Sequence, residues 1–387
     1  MEPSPGLNKS TTNPFIHRAA VGSLFFIQGL SFASWASRIP TIQQKLELNE
    51  TQLGFVLLAL PVGLLTSLPI SGFLVSKLGS RKIVLIASVA YSIFLISIGL
   101  TTNITQIMAA LFFFGLVGNM VNISVNTQAV GVEAIYKRPI MASFHGLWSL
   151  AGFTGAAIGT FMIARNIIPF YHFLSAAIIA IIVLAISARY TLQEDHNSEN
   201  KSKIFVIPDK SLLFLGLITF SGMICEGAMF DWSGIYFQKV VRPSKDWIGA
   251  GYTAFMLTMA SGRFIADWFA HKFGLKATLQ LSGTLIAAGL MLAVIFPSLA
   301  TALTGFLLVG FGVSSVVPLV YSSAGRSKAM SPGVAIAAVS TIGFFGFLLG
   351  PPLIGFIAGI INLRASFTLI AVMGLSVAVL SSFIRKD

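Results

Sequence analysis

The chain is poor in charge, nearly devoid of cysteine, and almost free of long polar runs. Its one cysteine, Cys225, lies in an apolar stretch, which excludes an internal disulfide and any cysteine-clustered metal site. Charged residues make up 10% of the 387 residues, against about 25% in a soluble domain. Only 13 are acidic, and no His/Cys/Asp/Glu cluster, phosphate loop or Ser-His-Asp set is present. The glycine-containing basic turns lack the Gly-Lys-Ser/Thr ending of a phosphate loop. No metal or other cofactor is therefore expected. Hydrophobic residues are abundant at 55%, with 33 Phe and 36 Gly, and the mean hydropathy is +0.86. Glycine is at home in membrane helices because it lets backbones approach closely. The formal charge of +12 could suggest nucleic acid. The basic residues instead sit in short loops between apolar spans, which is how membrane topology is encoded, so no nucleic-acid partner is expected.

A span needs about 20 apolar residues. Twelve segments qualify: 17–37, 50–75, 82–101, 104–131, 140–164, 168–189, 211–238, 246–270, 276–296, 300–324, 333–359 and 364–384. The longest polar stretch, 190–210, divides them six and six. The expected organisation is an N-terminal bundle over 1–189, a cytoplasmic linker over 190–210 and a C-terminal bundle over 211–387. With both termini placed in the cytoplasm, cytoplasmic segments hold 17 Lys and Arg and the opposite side holds 7. That bias sets the expected orientation. Segment 1 is not expected to be a cleaved signal, because its apolar stretch is long, ends in Arg38-Ile39-Pro40 and is followed by more spans.

The halves repeat. Residues 72–82 and 267–277 align at an offset of 195, with Lys77 on Lys272, Gly79 on Gly274 and Arg81 on Lys276. At the same offset Gln52-Leu53-Gly54 meets Trp247-Ile248-Gly249, Gly115 meets Gly310 and Asn126 meets Tyr321. Trp35 aligns with Trp232 after a gap of two residues. In such a duplication the halves face one another and bind substrate near mid-membrane.

Each polar group inside a span is costly and needs an account. In segment 4, Asn119, Asn122 and Asn126 fall on one helical stripe, which reads as a cavity wall or as interhelical hydrogen bonding. Segment 10 answers with Ser314, Pro318, Tyr321 and Ser322. Segment 1 carries Gln28 near its middle and Trp35 near its outer end. An amide with an indole suits a sugar-like solute, although Trp35 also fits an interfacial belt residue. His145 in segment 5 can exchange protons near neutrality or serve as a structural donor. Segment 7 holds the only carboxylates well inside a span, Glu226 and Asp231. Glu226 lies close to mid-depth, where an acid must be protonated, paired or solvated, so it is the expected coupling group. Asp231 is 140° round the helix, and its expected partner is Arg38 on the equivalent segment 1. Arg263 in segment 8 has Asp267 one turn on, and a local pair is expected there.

The basic glycine turn, once per half, resembles the loop between the second and third helices of the major facilitator superfamily. Residues Phe32 to Pro40 (Phe-Ala-Ser-Trp-Ala-Ser-Arg-Ile-Pro) closely resemble the end of the first helix in its YbjJ-like branch. Phe144 to Leu150, Glu226-Gly227, Asp231-Trp232, Gly262-Arg263-Phe264 and Leu349 to Gly355 match that branch in order. The resemblance runs from about residue 20 to near the end. It implies an all-α membrane protein, twelve transmembrane helices in two pseudo-symmetric six-helix bundles. More distantly the chain is similar to fucose-permease-type sugar/proton symporters. Two departures stand out. Facilitators usually have Asp where this chain has Ser76, and His271 takes that place in the second copy. The acid that fucose permeases carry in their fourth helix is matched here by Asn122, which concentrates coupling on segment 7.

The expected protein is therefore a secondary active transporter of a small polar, sugar-like solute, working by proton symport and alternating access. It is expected as a monomer in the bilayer of a bacterial cytoplasmic (inner) membrane. Substrate contacts are expected from Gln28, Trp35, Asn119, Asn122, Asn126 and Tyr321, coupling from Glu226 and His145, and gating from Arg38, Asp231, Arg263 and Asp267. The main alternative is a drug or metabolite efflux antiporter, whose glycine pattern in segment 5 is incomplete here. An enzyme would need a catalytic pair, and only His145 with a carboxylate is at hand. A non-transporting sensor would need a signalling domain or long tail, which is not expected beyond the last span.

Overall fold

A computed structural model describes residues 14–136, 140–195, 210–326 and 332–384, with backbone alone for Lys210, Asp267, Pro332 and Gly333. Hydrocarbon offers no partner to a backbone amide, so an apolar segment of membrane length satisfies its hydrogen bonds internally as a helix. Each of the twelve segments does so. The first half holds α1 (Pro14–Ser37), α2 (Glu50–Leu78), α3 (Ser80–Leu100), α4 (Ile104–Tyr136), α5 (Met141–Ala164) and α6 (Pro169–Ser187). The second holds α7 (Lys210–Tyr236), α8 (Ala250–Phe273), α9 (Leu275–Ile295), α10 (Leu299–Ala324), α11 (Pro332–Ile360) and α12 (Leu363–Ser381). Eleven are long and apolar enough to cross a membrane. The remaining one, α8, carries Arg263 and Asp267 in its C-terminal half. Helices overrun the predicted apolar limits, most visibly α4, because nothing stops a helix at the edge of its hydrophobic run.

Turn chemistry sets the ends. Asn49 caps α2 by accepting from Gln52 N–H at 2.8 Å, while the Gln52 side chain accepts from Asn49 N–H at 3.1 Å. Gly79 and Gly274 both adopt φ +83° between their helix pairs, a conformation that penalises a Cβ. A short helix, Ile39–Lys45, with Pro40 in its first turn, joins α1 to α2, and a π-helical turn, Phe237–Val241, prolongs α7.

The two halves pack alike. In the first, α1 lies on α5 and α6, α4 on α2 and α3, and α3 on α6. In the second, α7 lies on α11 and α12, α10 on α8 and α9, and α9 on α12. The 195-residue offset reappears in the packing itself. Gly115 of α4 faces the Leu60 carbonyl of α2, and Gly310 of α10 faces the Phe255 carbonyl of α8, each too closely to admit a methyl group.

Between the halves, α2 packs on α11 and α5 on α8. The start of α1, the end of α6, the start of α7 and the end of α12 share one face of the bundle, here the terminal face; the other is the distal face. Apart from bonds made by Arg263, every side-chain bond between the halves among the described residues lies towards the distal face. Lys239 pairs with Glu50 at 2.6 Å, the hydroxyls of Thr160 and Thr253 bond at 3.0 Å, Thr51 donates to the Gly355 carbonyl at 3.4 Å, and Lys245 donates to Asn166. The distal seam is closed. Towards the terminal face, Asn122, Asn126 and Tyr321 of α4 and α10 are half-exposed and Ser322 is exposed.

On the terminal face the start of the linker is fastened to the first half. Asp195 accepts from Ser80 N–H at 2.8 Å and from the Ser80 hydroxyl, capping α3. Gln128 of α4 donates to Ser80 Oγ at 2.7 Å and accepts from Leu192 N–H at 2.7 Å. Arg81 donates to the Ala188 carbonyl at 3.0 Å. An acid thus reaches the first basic turn from the linker, although Ser76 occupies the position where the turn would carry its own.

Gly115→Ala and Gly310→Ala should each destabilise the purified protein by about 1–3 kcal/mol, because the helices must separate to admit the methyl. Gly72→Ala, with no atom within 4 Å of the added carbon, should be neutral or slightly stabilising in the same thermal-unfolding measurement.

Candidate functional site

The centre of the molecule is built around Arg263 of α8. Its Nη1 donates to Ser149 Oγ of α5 at 2.6 Å, and its Nη2 donates to Glu226 Oε1 of α7 at 3.2 Å. The guanidinium carbon lies 5.8 Å above the Trp148 ring of α5. Ser149 passes its own proton to the His145 carbonyl at 3.0 Å, so its oxygen is free to accept from Arg263. One cation therefore ties a carboxylate of its own half to a hydroxyl and an aromatic face of the other half. Glu226 is buried and Arg263 nearly so, with side-chain exposures of 10% and 21%.

Above this pair, towards the distal seam, aromatic rings from both halves meet. Phe230 of α7 is the hub. It lies 5.3 Å from Phe32, 6.5 Å from Trp148, 5.7 Å from Phe255 and 6.1 Å from Phe347. Beside it Tyr252 is buried with no partner for its hydroxyl. His145 is exposed, its ring edge-on to Phe25 at 5.3 Å.

The predicted site residues are thereby distributed unequally. Glu226 and Arg263 pair, and His145 joins them through its carbonyl, which accepts from the Ser149 that Arg263 bonds. Arg263 does not rest on a local bond alone: it pairs with Glu226, while the side chain of Asp267 lies outside the described residues. The asparagine stripe divides. Asn119 is buried and donates to the Leu64 carbonyl of α2 at 3.3 Å, which is helix-to-helix bonding. Asn126 donates to the Asn122 carbonyl of its own helix at 2.8 Å, and both remain half-exposed. Gln28 is buried and donates to the Gly118 carbonyl of α4 at 3.1 Å, leaving its Oε1 without a partner. Trp35 is only 1% exposed, so it is packed inside its bundle and is no belt residue. Its repeat mate Trp232 is equally buried, and both indole N–H groups lack partners.

The expected Arg38–Asp231 pair is not formed, although the distal seam is closed. Arg38 is buried within the first half, where Nε donates to His172 Nδ1 at 3.1 Å and Nη2 to the Ile167 carbonyl at 2.8 Å. A short reach to α6 and its preceding loop satisfies the guanidinium without crossing to α7. Asp231 makes no hydrogen bond or ion pair among the described residues. Sequence reasoning missed Ser149, His172, Tyr252 and the Lys239–Glu50 pair. It also missed the central Arg263–Glu226 pair, which counting charges would have found: an internal cation and a mid-depth anion in one hydrocarbon layer must meet.

Removing one member of the central pair strands the other. Glu226→Gln and Arg263→Met should each cost about 3–5 kcal/mol, and the double variant Glu226→Leu with Arg263→Met should recover most of it. Thermal unfolding of the three proteins in detergent measures this; equal loss in singles and double would show that the pair carries no charge-compensating role.

Comparison with known proteins agrees with this geometry. The family model of the Major Facilitator Superfamily matches residues 21–329 and 241–387. The chain is 33% identical to an uncharacterized MFS-type transporter of Yersinia pestis, over 92% of each chain. It is 31% identical to the membrane protein MosC of Rhizobium meliloti, over 95% of this chain and 90% of that one. A crystal structure of the nucleoside transporter NupG superposes with a TM-score of 0.71 over 96% of this chain and 100% of the other, at 14% identity, a likeness of fold. Twelve helices in two matching halves, with charged groups held at their interface, are the architecture of a membrane transporter, and this chain belongs to the Major Facilitator Superfamily.

Proposed function

We propose that the protein is a proton symporter for a small polar, sugar-like solute, with Glu226 as its coupling group and Arg263 as the sensor of Glu226's charge. The observation that carries the reading is the position of Arg263, bonded to Glu226 in its own half and to Ser149 in the other. A proton on Glu226 removes the counter-charge, and the guanidinium must then find compensation elsewhere, in Ser149, Trp148 or the solute. The strength of the α5–α8 tie thus depends on whether the site holds a proton. A contact that differs between two conformations shifts their populations by its differential energy.

The solute sits between the half-exposed Asn122, Asn126 and Tyr321 and the aromatic group around Trp148. Amide, hydroxyl and charged groups bond its polar edge while an aromatic face covers its apolar side. His145, exposed at the same level, is the second proton-carrying group. The bodies that rock are residues 1–189 and 211–387, joined by 190–210. The terminal face is cytoplasmic, the side to which the Lys and Arg bias points, and the bonded distal seam with half-exposed Asn122, Asn126 and Tyr321 supports a conformation open on that side. The membrane is the bacterial cytoplasmic membrane, and the protein acts as a monomer.

Proteoliposomes loaded with candidate sugars and related polyols test this. Accumulation should follow an imposed proton gradient and vanish when the gradient is collapsed. Glu226→Gln should abolish accumulation while leaving solute exchange measurable. Accumulation with unchanged pH dependence in this variant would remove Glu226 from coupling. The distal latch gives an independent test of alternating access. Lys239→Gln breaks a partly exposed pair worth up to about 1 kcal/mol. It should raise labelling of a Thr51→Cys probe in the seam by up to about five-fold. Unchanged labelling would show that the latch does not hold the seam.

A further inference from the structure

A crevice on the outer wall of the second half has no part in the transport site. Gly262, Ala266 and Phe269 of α8, Leu281 and Ser282 of α9, and Ser314 of α10 line a shallow crevice of about 20 Å³ there. It runs into a second, wider hollow of about 230 Å³, between Phe269, Phe273, Ala277 and Leu281, nearer the terminal face. From Gly262 to Phe273 the groove follows about 16 Å of helix. That is close to one leaflet of a hydrocarbon core, about 15 Å.

The polar atoms along the groove are already satisfied. Ser282 and Ser315 bond each other at 2.7 Å, Ser314 donates to the Phe311 carbonyl at 2.6 Å, and Thr278 donates to the Gly274 carbonyl at 2.9 Å. Water needs several polar partners to stay in a cavity, and this lining offers few. An alkyl chain asks for none.

The terminal-face end of the groove is basic. Lys272 lies 4.8 Å above the Trp268 ring and 5.3 Å from that of Phe273, and Lys276 donates to the Ser382 carbonyl at 2.5 Å. Neither lysine has an ion pair among the described residues. The repeat supplies a comparison. At Gly79 the turn's amide and hydroxyl are held by the Asp195 carboxylate. At Gly274, with the same φ of +83°, the space beside the turn is open to 4 Å. The first copy of the turn holds an anion, and the second has the same shape, two lysines and, among the described residues, no acid bonded to them.

We propose that this crevice binds an anionic phospholipid, one acyl chain along α8, α9 and α10 and its phosphate between Lys272, Lys276 and the first turn of α9. The chain would lie against Gly262, one residue from Arg263, so the lipid backs the helix turn that carries the central cation.

Trp268 beside Lys272 is a built-in reporter, because bromine on an acyl chain quenches indole fluorescence on contact. The Trp268 signal is the difference between the unaltered protein and Trp268→Phe. In mixed vesicles, brominated phosphatidylglycerol should quench that signal at least three-fold more effectively than brominated phosphatidylcholine at equal mole fraction. The double variant Lys272→Gln with Lys276→Gln should quench equally with both lipids, with its phosphatidylcholine value unchanged. The proposal falls if the unaltered protein shows no preference between the lipids, or if the preference survives the double substitution.

Discussion

A guanidinium and a carboxylate inside hydrocarbon cannot stand apart. Each alone costs several kcal/mol, and together the cost is largely cancelled only while their geometry holds. Arg263 and Glu226 meet this constraint at the point where three helices of two halves, α5, α7 and α8, come together. The pair fixes the depth of α8 against α7. Through Ser149 it also fixes α8 against α5, across the boundary between halves. Much of the surrounding arrangement answers to that need. Ser149 turns its proton to its own helix so that its oxygen can accept, and Trp148 lends its ring face to the cation.

The seam between the halves is built from two unlike kinds of contact. Near the distal face it is small residues and exposed polar bonds, as where Gly54 of α2 comes close to the Pro351 carbonyl and Gly355 of α11. Such contacts are individually weak and can be exchanged with water. In the middle it is a desolvated charge and packed rings, which water replaces poorly. The proposed alternating access, with one face opening while the centre stays intact, calls for this gradation.

The all-α architecture was legible because it is enforced by solvent: length, apolarity and the repeat offset leave few alternatives. The central acid was legible for the same reason, since Glu226 is conspicuous wherever its helix lies. What could not be read was which side of a helix meets a neighbour. The period that aligns Asn119 with Asn122 and Asn126 does not say that Asn119 abuts the Leu64 carbonyl while the other two are half-exposed. Trp35 shows the same gap: its distance along the span suggested an interface, and only packing against the rest of the bundle buries it. Arg38 was assigned a partner from its depth, but side-chain reach in three dimensions gave it His172. Pairing is a property of register between helices, and no single helix carries that information.

The fastening of Asp195 beneath α3 has a mechanical consequence. In the proposed rocking of residues 1–189 against 211–387, the joining chain pulls at the point where it is bonded. With Asp195 held by Ser80, and Leu192 held by Gln128, that point is not the end of α6 but the first turn of α3 together with the end of α4. Tension from the second half therefore arrives at the base of α4, the helix that presents Asn122 and Asn126. The hinge and the lever share a foot.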